Sequence, residues 1–179
     1  MSGTPRSAKK TPARSARKTP AKRLRVAISS DHEGDWLKER LAHALREERY
    51  VVKDCEVVGA SAVDIIDLAV LIGRIVVSGE ADLGVVIAAS GPGASMAANK
   101  LPGVRSVHCQ DPVSAAQSRR QLDANVLCLG ARILGEELAV AVAQAWVAAE
   151  FTGQDRHVRV CDKMDRLDSR AEIPGNGGG

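Results

Sequence analysis

The sequence predicts an α/β protein, a Rossmann-like three-layer sandwich built around a five-stranded parallel sheet. Five short apolar segments alternate with segments whose apolar residues recur at helical spacing, and this alternation is typical of parallel sheets. Four of the 179 residues are aromatic, so the core must consist mainly of Ala, Val, Ile and Leu, as in strands that are buried on both faces. A chain of this length fits one domain and an appendage.

Strands are predicted at residues 24–30, 50–54, 85–89, 104–109 and 125–129, and helices at 35–48, 63–78, 94–100, 112–121, 135–150 and 156–170. The first strand is followed by the turn Asp31-His32-Glu33-Gly34. The helix after it is amphipathic, and four of its side chains are expected to face the core, namely Trp36, Leu37, Leu41 and Leu45. The second helix shows the same spacing of apolar residues.

The central strand, residues 85–89, is apolar throughout, which favours burial on both faces. After the fourth strand, Asp111 is a favourable N-cap and Pro112 suits the first helical position. Gly130 closes the fifth strand. The fifth helix is long and rich in Ala and Val, and a last, charged helix ends the fold.

A turn of small residues, Ser90-Gly91-Pro92-Gly93, connects the central strand to its helix. Unpaired backbone N–H groups converge where a strand turns into a helix, and the helix dipole adds positive charge, so this turn is a candidate anion site. Two known phosphate motifs are not met. A Walker A loop needs glycine before Lys100, and a dinucleotide fingerprint needs one at Met96. The alternative is a plain strand-to-helix connection.

Ligands of parallel sheets bind beyond the carboxyl ends of the strands. In this chain those ends carry Asp31-His32, the Ser90 turn, His108-Cys109 and the turn at 130–132. We expect these four loops to converge, and their convergence is more informative than any one of them.

The charge of the chain is unevenly distributed. Of its 25 Lys and Arg residues eight fall in residues 1–23, which hold no acid, and the remaining 17 face 22 Asp and Glu residues, a net of −5. Residues 1–23 lack large apolar side chains, which predicts a disordered basic tail. Such a tail either binds nucleic acid non-specifically or acts as a solubilising extension. Residues 171–179 are predicted to be a second flexible tail.

No apolar run approaches the length of a membrane span, and no signal-peptide pattern follows the basic start. We therefore expect a cytoplasmic protein with no membrane partner. The cysteines lack CxxC spacing, which predicts reduced, mostly buried thiols and no metal site at Cys55, Cys109, Cys128 and Cys161.

Four segments together resemble one family in order and spacing. They are SSDHEG, SGPGASMAANK, QDPVSAAQSRR and NVLCLGAR, and the stretch 97–105 (AANK-x-PG-x-R) is particularly specific. The family is that of type B ribose-5-phosphate isomerase and galactose-6-phosphate isomerase. The resemblance runs from Leu24 to Asp165, so residues 24–170 are interpreted as one isomerase domain.

The resemblance implies an aldose–ketose isomerase of carbohydrate metabolism, of the pentose phosphate pathway type, with no metal or cofactor. Such enzymes move a proton between C1 and C2 of an open-chain sugar phosphate through an enediolate. The implied assembly is a homodimer or a tetramer, with the active site at the dimer interface.

The substrate-binding residues implied by the resemblance are mostly present. Asp31 and His32 match a pair that contacts the substrate, and Ser90 matches a family hydroxyl. Arg132 and Arg159 match two phosphate-binding arginines, whose forked donors suit that group. The loop implied to hold the enediolate oxygen through its N–H groups consists of Ala89, Ser90, Gly91, Pro92 and Gly93.

The catalytic positions implied by the resemblance are altered. The family's alternative bases, Cys and Glu, fall on Ala88 and Ala94, and its ring-opening His falls on Gln121. A methyl group cannot abstract a proton, and glutamine does not titrate. Ser90 and Asp31 remain as catalytic candidates.

Three hypotheses stay open. The chain is an active isomerase with displaced catalysts such as His108 or Cys109. Alternatively it is a sugar-phosphate-binding sensor that has lost turnover, or a subunit that needs a paralogous partner.

Overall fold

The computed structural model describes residues 23–56 and 64–168, which form one five-stranded, all-parallel sheet with six helices. The strand order is β2-β1-β3-β5-β4. In chain order the strands are β1 (Arg25–Ser30), β2 (Val51–Asp54), β3 (Leu83–Ala88), β4 (Ser106–His108) and β5 (Val126–Gly130). The helices are α1 (Asp35–Glu47), α2 (Ile65–Val77), α3 (Pro92–Ala98), α4 (Pro112–Leu122), α5 (Glu136–Val147) and α6 (Asp155–Asp168).

Two apolar clusters, one on each face of the sheet, confirm the predicted three-layer sandwich. One cluster joins α1, α4 and α5 to the sheet and includes Trp146, the largest fully buried side chain. The other joins α2 and α3 to the opposite face. All six residues of β3 are buried, as the apolar central strand predicts.

Most predicted boundaries agree with the structure to within two residues, and the N-cap prediction is confirmed. The carboxylate of Asp111 accepts the Ser114 N–H at 2.8 Å, with Pro112 at the first helical position of α4. Strand β4 is shorter than predicted because the Arg105 N–H is bonded by the side chain of Asn125, at 2.8 Å, instead of by a neighbouring strand. Helix α5 ends at Val147, three residues early.

The prediction that Trp36 faces the core is wrong, since its side chain is 47% exposed. The buried side of α1 carries Leu37, Leu41 and Leu45, and Trp36 lies about 100° away around the helix from Leu37. Lys38 occupies the buried side in its place, which the apolar pattern did not predict.

The stretch 97–105, the most specific part of the family resemblance, has a structural role. The Asn99 side chain donates to the Ser106 carbonyl at 2.9 Å and accepts the Ser106 N–H at 2.7 Å, which ties α3 to β4. Arg105 bonds the carbonyls of Leu122 and Asp123 and the Asp123 carboxylate, at 2.7–3.1 Å. These bonds hold the edge strand against the end of α4.

Chain direction places the loops of interest at the carboxyl edge of the sheet. From β1 the chain moves to β2 on one side and later to β3 on the other, so the topological switch point, where parallel sheets bind ligands, lies between the ends of β1 and β3. We call the space beyond these two strand ends the crevice. Within residues 23–56 and 64–168, no helix is long and apolar enough to cross a membrane. The two predicted tails lie outside the described residues, apart from Arg23.

Candidate active site

Asp31 joins the two loops that flank the crevice. Its Oδ1 accepts the N–H groups of Glu33 and Gly34, both at 3.1 Å, and its Oδ2 accepts the N–H of Ala89 at 3.2 Å. Its own N–H donates to the carbonyl of Ile87 at 3.1 Å. The carboxylate therefore fixes the turn after β1 and the turn after β3 relative to each other, and Oδ2 keeps a lone pair for a ligand.

The turn from β3 into α3 is narrow because glycine is required at two positions. Gly91 has a φ of 92°, and a Cβ there would lie 2.5 Å from Cδ2 of His108. A Cβ on Gly130, at the end of β5, would lie 2.6 Å from the Ser90 carbonyl oxygen. Gly93 has open space in the direction of its missing side chain, and Ser90 and Pro92 are exposed. The core side of this loop is therefore tightly packed, whereas its solvent side is open to a ligand.

Arg132 lies in the turn after β5, next to the β3 loop. Its N–H donates to the Ala89 carbonyl at 3.0 Å, while its side chain is 71% exposed. The guanidinium forms a two-pronged ion pair with Glu33: Nε contacts Oε2, and Nη2 donates to Oε1 at 2.8 Å. Sequence reasoning placed Glu33 in this turn but assigned it no role.

His32 is exposed at the rim of a depression of about 260 Å³ between the ends of β1 and α1. The depression is also lined by Asp31 and Lys38. Burial lowers the pKa of Lys38, but its hydrogen bond to Asp54 and the charges of nearby carboxylates outweigh this and raise the pKa overall. The Nζ atom lies 3.1 Å from Asp54 and 3.7 Å from Glu56, so Lys38 is a paired cation beneath the site. The apolar pattern gave no signal for it.

Arg159 and Gln121 lie away from the loops that carry Asp31 and Arg132: Arg159 is on α6, and Gln121 is near the end of α4. Helix α6 is anchored at the amino edge of the sheet, where the Asp168 carboxylate accepts the Gly103 N–H at 2.7 Å. Just before α6, the Thr152 N–H donates to the carbonyl of Arg120, near the end of α4. Arg159 and Gln121 are both exposed in this region. The single chain thus brings together Asp31, residues 89–93 and Arg132, but not Arg159 or Gln121.

The two vacant base positions face the core. Ala88, the last residue of β3, is 5% exposed, and Ala94 in α3 is 1% exposed. Both methyl groups belong to the apolar cluster beneath α2 and α3. Neither position carries a group that titrates.

His108 and Cys109 end up beneath the site. Burial lowers the pKa of His108, so its imidazole is neutral at neutral pH, and its Nε2 is buried without a hydrogen-bond partner in the described part of the chain. Burial raises the pKa of Cys109, and the pKa of Cys128 rises to about 12. Cys109 is therefore a protonated thiol, poorly suited to proton abstraction. In residues 23–56 and 64–168 there is no cluster of three or more His, Cys, Asp or Glu side chains that could hold a metal.

Comparison with known proteins identifies the family. Residues 26–164 match the model of the Ribose/Galactose Isomerase family. The chain belongs to this family. Ribose-5-phosphate isomerase B of Escherichia coli is 35% identical over 146 residues, covering 82% of this chain and 97% of the relative.

A second relative and a solved structure also match most of this chain. D-erythrulose-4-phosphate isomerase 2 of Mycolicibacterium smegmatis is 36% identical over 135 residues, covering 73% of this chain and 88% of the relative. The structure of Clostridium thermocellum ribose-5-phosphate isomerase B superposes with a TM-score of 0.77 at 38% identity, covering 83% of this chain and all of that one. The resemblance stated from the sequence is thereby confirmed, and so is the fold.

Proposed function

We propose that this protein binds an open-chain sugar phosphate at the carboxyl edge of its sheet and interconverts aldose and ketose forms of the ribose 5-phosphate type. The observation that carries the proposal is the bond from Asp31 to the Ala89 N–H, which assembles a polar crevice from two separate loops. Family membership supplies the reaction class, a sugar-phosphate isomerisation.

The residues of this chain divide between binding and chemistry. Arg132 carries the forked donors suited to a phosphate group. Ser90, Gly91 and Gly93 carry backbone N–H groups that would face the negative charge developing on an enediolate oxygen. Pro92 has no N–H, and the Ala89 N–H is bonded to Asp31. Asp31, through the free lone pair of Oδ2, and the exposed hydroxyl of Ser90 are the polar groups in position to bind sugar hydroxyls and relay a proton.

We further propose that the complete site needs two chains. Gln121 is near the end of α4, and Arg159 is on α6, whose last residue bonds Gly103 at the amino edge of the sheet, so we infer that neither reaches the crevice of its own chain. A second copy, in a homodimer or a tetramer, would bring its Arg159 beside this Arg132. A paralogous subunit in that place would supply the same arginine and also a ring-opening group, which Gln121 does not provide.

A second candidate function is binding without turnover, as a sensor or as a non-catalytic subunit. The observation that favours it is the burial of Ala88 and Ala94 in the apolar cluster, since neither side chain can accept a proton. The phosphate and hydroxyl contacts are unaffected by these two alanines. This candidate predicts normal affinity with no proton exchange.

Solvent deuterium exchange at C2 of ribose 5-phosphate, followed by NMR, distinguishes the two functions. Exchange faster than in the buffer control supports the isomerase, and binding without exchange supports the second candidate. Arg132→Ala should abolish the rise in melting temperature caused by the sugar phosphate. An equal rise in this variant would contradict the phosphate assignment. D-Erythrulose 4-phosphate is the second substrate to test, because a relative bears that name.

A further inference from the structure

The guanidinium of Arg132 is already paired with a carboxylate of its own chain. Its Nε and Nη2 donate side by side to the two carboxylate oxygens of Glu33. This forked arrangement is the one by which arginine binds phosphate. Any phosphate that takes the same two donors must first displace Glu33.

Both partners of this ion pair are fixed through their backbones. The Glu33 N–H donates to Asp31 at 3.1 Å, and the Arg132 N–H donates to Ala89 at 3.0 Å. The Glu33 side chain is 25% exposed, so it sits partly within the turn. Asp31 in turn bonds Ala89, so one chain of hydrogen bonds fixes the backbones that carry the two charges relative to each other. The forked pair therefore joins side chains whose backbones are already held in place.

We propose that Glu33 is the resting occupant of the Arg132 fork and an internal competitor that every anion must displace to bind there. This proposal rests on the proposed function, in which Arg132 binds the substrate phosphate. Displacing an internal competitor lowers the apparent affinity of every anion by one common factor. A dianionic phosphate ester that also contacts residues 89–93 overcomes this factor, whereas simple anions at cellular concentrations do not. Glu33 thus raises the concentration at which any anion occupies the fork, and it leaves the ratio of their affinities unchanged.

The test is calorimetric titration of ribose 5-phosphate, and separately of inorganic phosphate, into wild type and Glu33→Gln. We expect the variant to bind both ligands about three- to tenfold more tightly. The gain is of this size because the ligand no longer has to break the largely exposed ion pair between Glu33 and Arg132. Glu136→Gln is the matched control, because Glu136 lies four residues along the chain from Arg132 but pairs with Arg40, at 2.7 Å, in an exposed ion pair. It removes the same charge but leaves Glu33 on the fork, so it should raise the affinity less than Glu33→Gln does.

The Arg132→Ala background separates competition for the fork from a general charge effect. There, sugar-phosphate binding is lost, and Glu33→Gln should restore no more of it than Glu136→Gln does. Unchanged or weaker binding by Glu33→Gln in the wild-type background overturns the proposal, and so does an equal gain in the Arg132→Ala background. If Arg132→Ala binds the sugar phosphate as well as wild type, the proposed role of Arg132 fails instead.

A second measurement needs no ligand. In the free protein the Nε proton of Arg132 is held by Glu33, so its exchange with solvent, measured by ¹⁵N NMR, should be faster in Glu33→Gln than in wild type. Equal exchange rates in the two proteins would show that the fork is not occupied at rest. This result would overturn the displacement proposal while leaving the phosphate assignment in place.

Discussion

Asp31→Asn tests how the two loops of the crevice are held together. Asparagine keeps one carbonyl oxygen for the N–H groups of Glu33 and Gly34, but it turns an NH₂ group toward the Ala89 N–H, where Oδ2 now accepts at 3.2 Å. Two donors then face each other. An unsatisfied donor costs about 1–3 kcal/mol, and the two remaining bonds lose their charge assistance. We expect a loss of about 2–3 kcal/mol in unfolding free energy, or about 4–12 °C in Tm for a chain of this size.

Urea denaturation, monitored by circular dichroism at one fixed protein concentration, measures this loss. The concentration is fixed because subunit association stabilises by mass action. Asp35→Asn is the control. The Asp35 carboxylate accepts the Ser30 hydroxyl at 2.6 Å, which can turn to asparagine or to water, and it lies 3.8 Å from Nζ of Lys38, which keeps Asp54 and Glu56 as partners. The control should lose less than about 1 kcal/mol. If the two variants lose equal stability, the inference that Asp31 joins the loops is refuted.

Three further predictions concern the loop and the groups beneath it. Gly91→Ala should destabilise the fold by at least about 1–2 kcal/mol, from its positive φ and its contact with His108, whereas Gly93→Ala should not; equal urea midpoints would contradict this. Iodoacetamide at pH 7.5 should label neither Cys109 nor Cys128 in the folded protein, because burial raises both pKa values; mass spectrometry detecting rapid labelling of Cys109 would reverse that conclusion. Burial lowers the pKa of His108 in the folded protein, so the unfolded state binds the proton more tightly. The neutral imidazole therefore contributes stability above pH 6.5, and this contribution is lost as the pH falls through the pKa of the folded state. His108→Asn should therefore flatten the decline in unfolding free energy below pH 6.5, and an unchanged slope would exclude this cause.

Sequence patterns predicted the fold well because the features that decide it are local. The apolar central strand, the N-cap Asp111 and the alternation of strands with helices each follow from a few adjacent residues. Trp36 shows the limit of this reasoning. The four apolar residues of α1 form a wide stripe, and the sequence does not show which edge of that stripe the sheet and the neighbouring helices cover. In the structure the Trp36 edge is exposed. Lys38 is buried on the other edge, where it is paired with Asp54.

The site was only partly predictable. Convergence of Asp31, residues 89–93 and Arg132 follows from the rule that ligands bind at strand carboxyl ends, and the structure places these residues together. Glu33 gave no sequence signal, because its role depends on Arg132, 99 residues away in the chain. Likewise, the packing of His108 against Gly91 depends on the order of β3, β5 and β4, which the sequence does not reveal.

We propose that a phosphorylated sugar binds in the crevice between the ends of β1 and β3. The most direct measurement is NMR mapping of backbone amide shifts while ribose 5-phosphate is titrated into ¹⁵N-labelled protein. We expect saturable shifts that are largest at Ala89, Ser90, Gly93 and Arg132 and absent from these amides in Arg132→Ala. Shifts confined to the other edge of the sheet, or none at millimolar ligand, would contradict it.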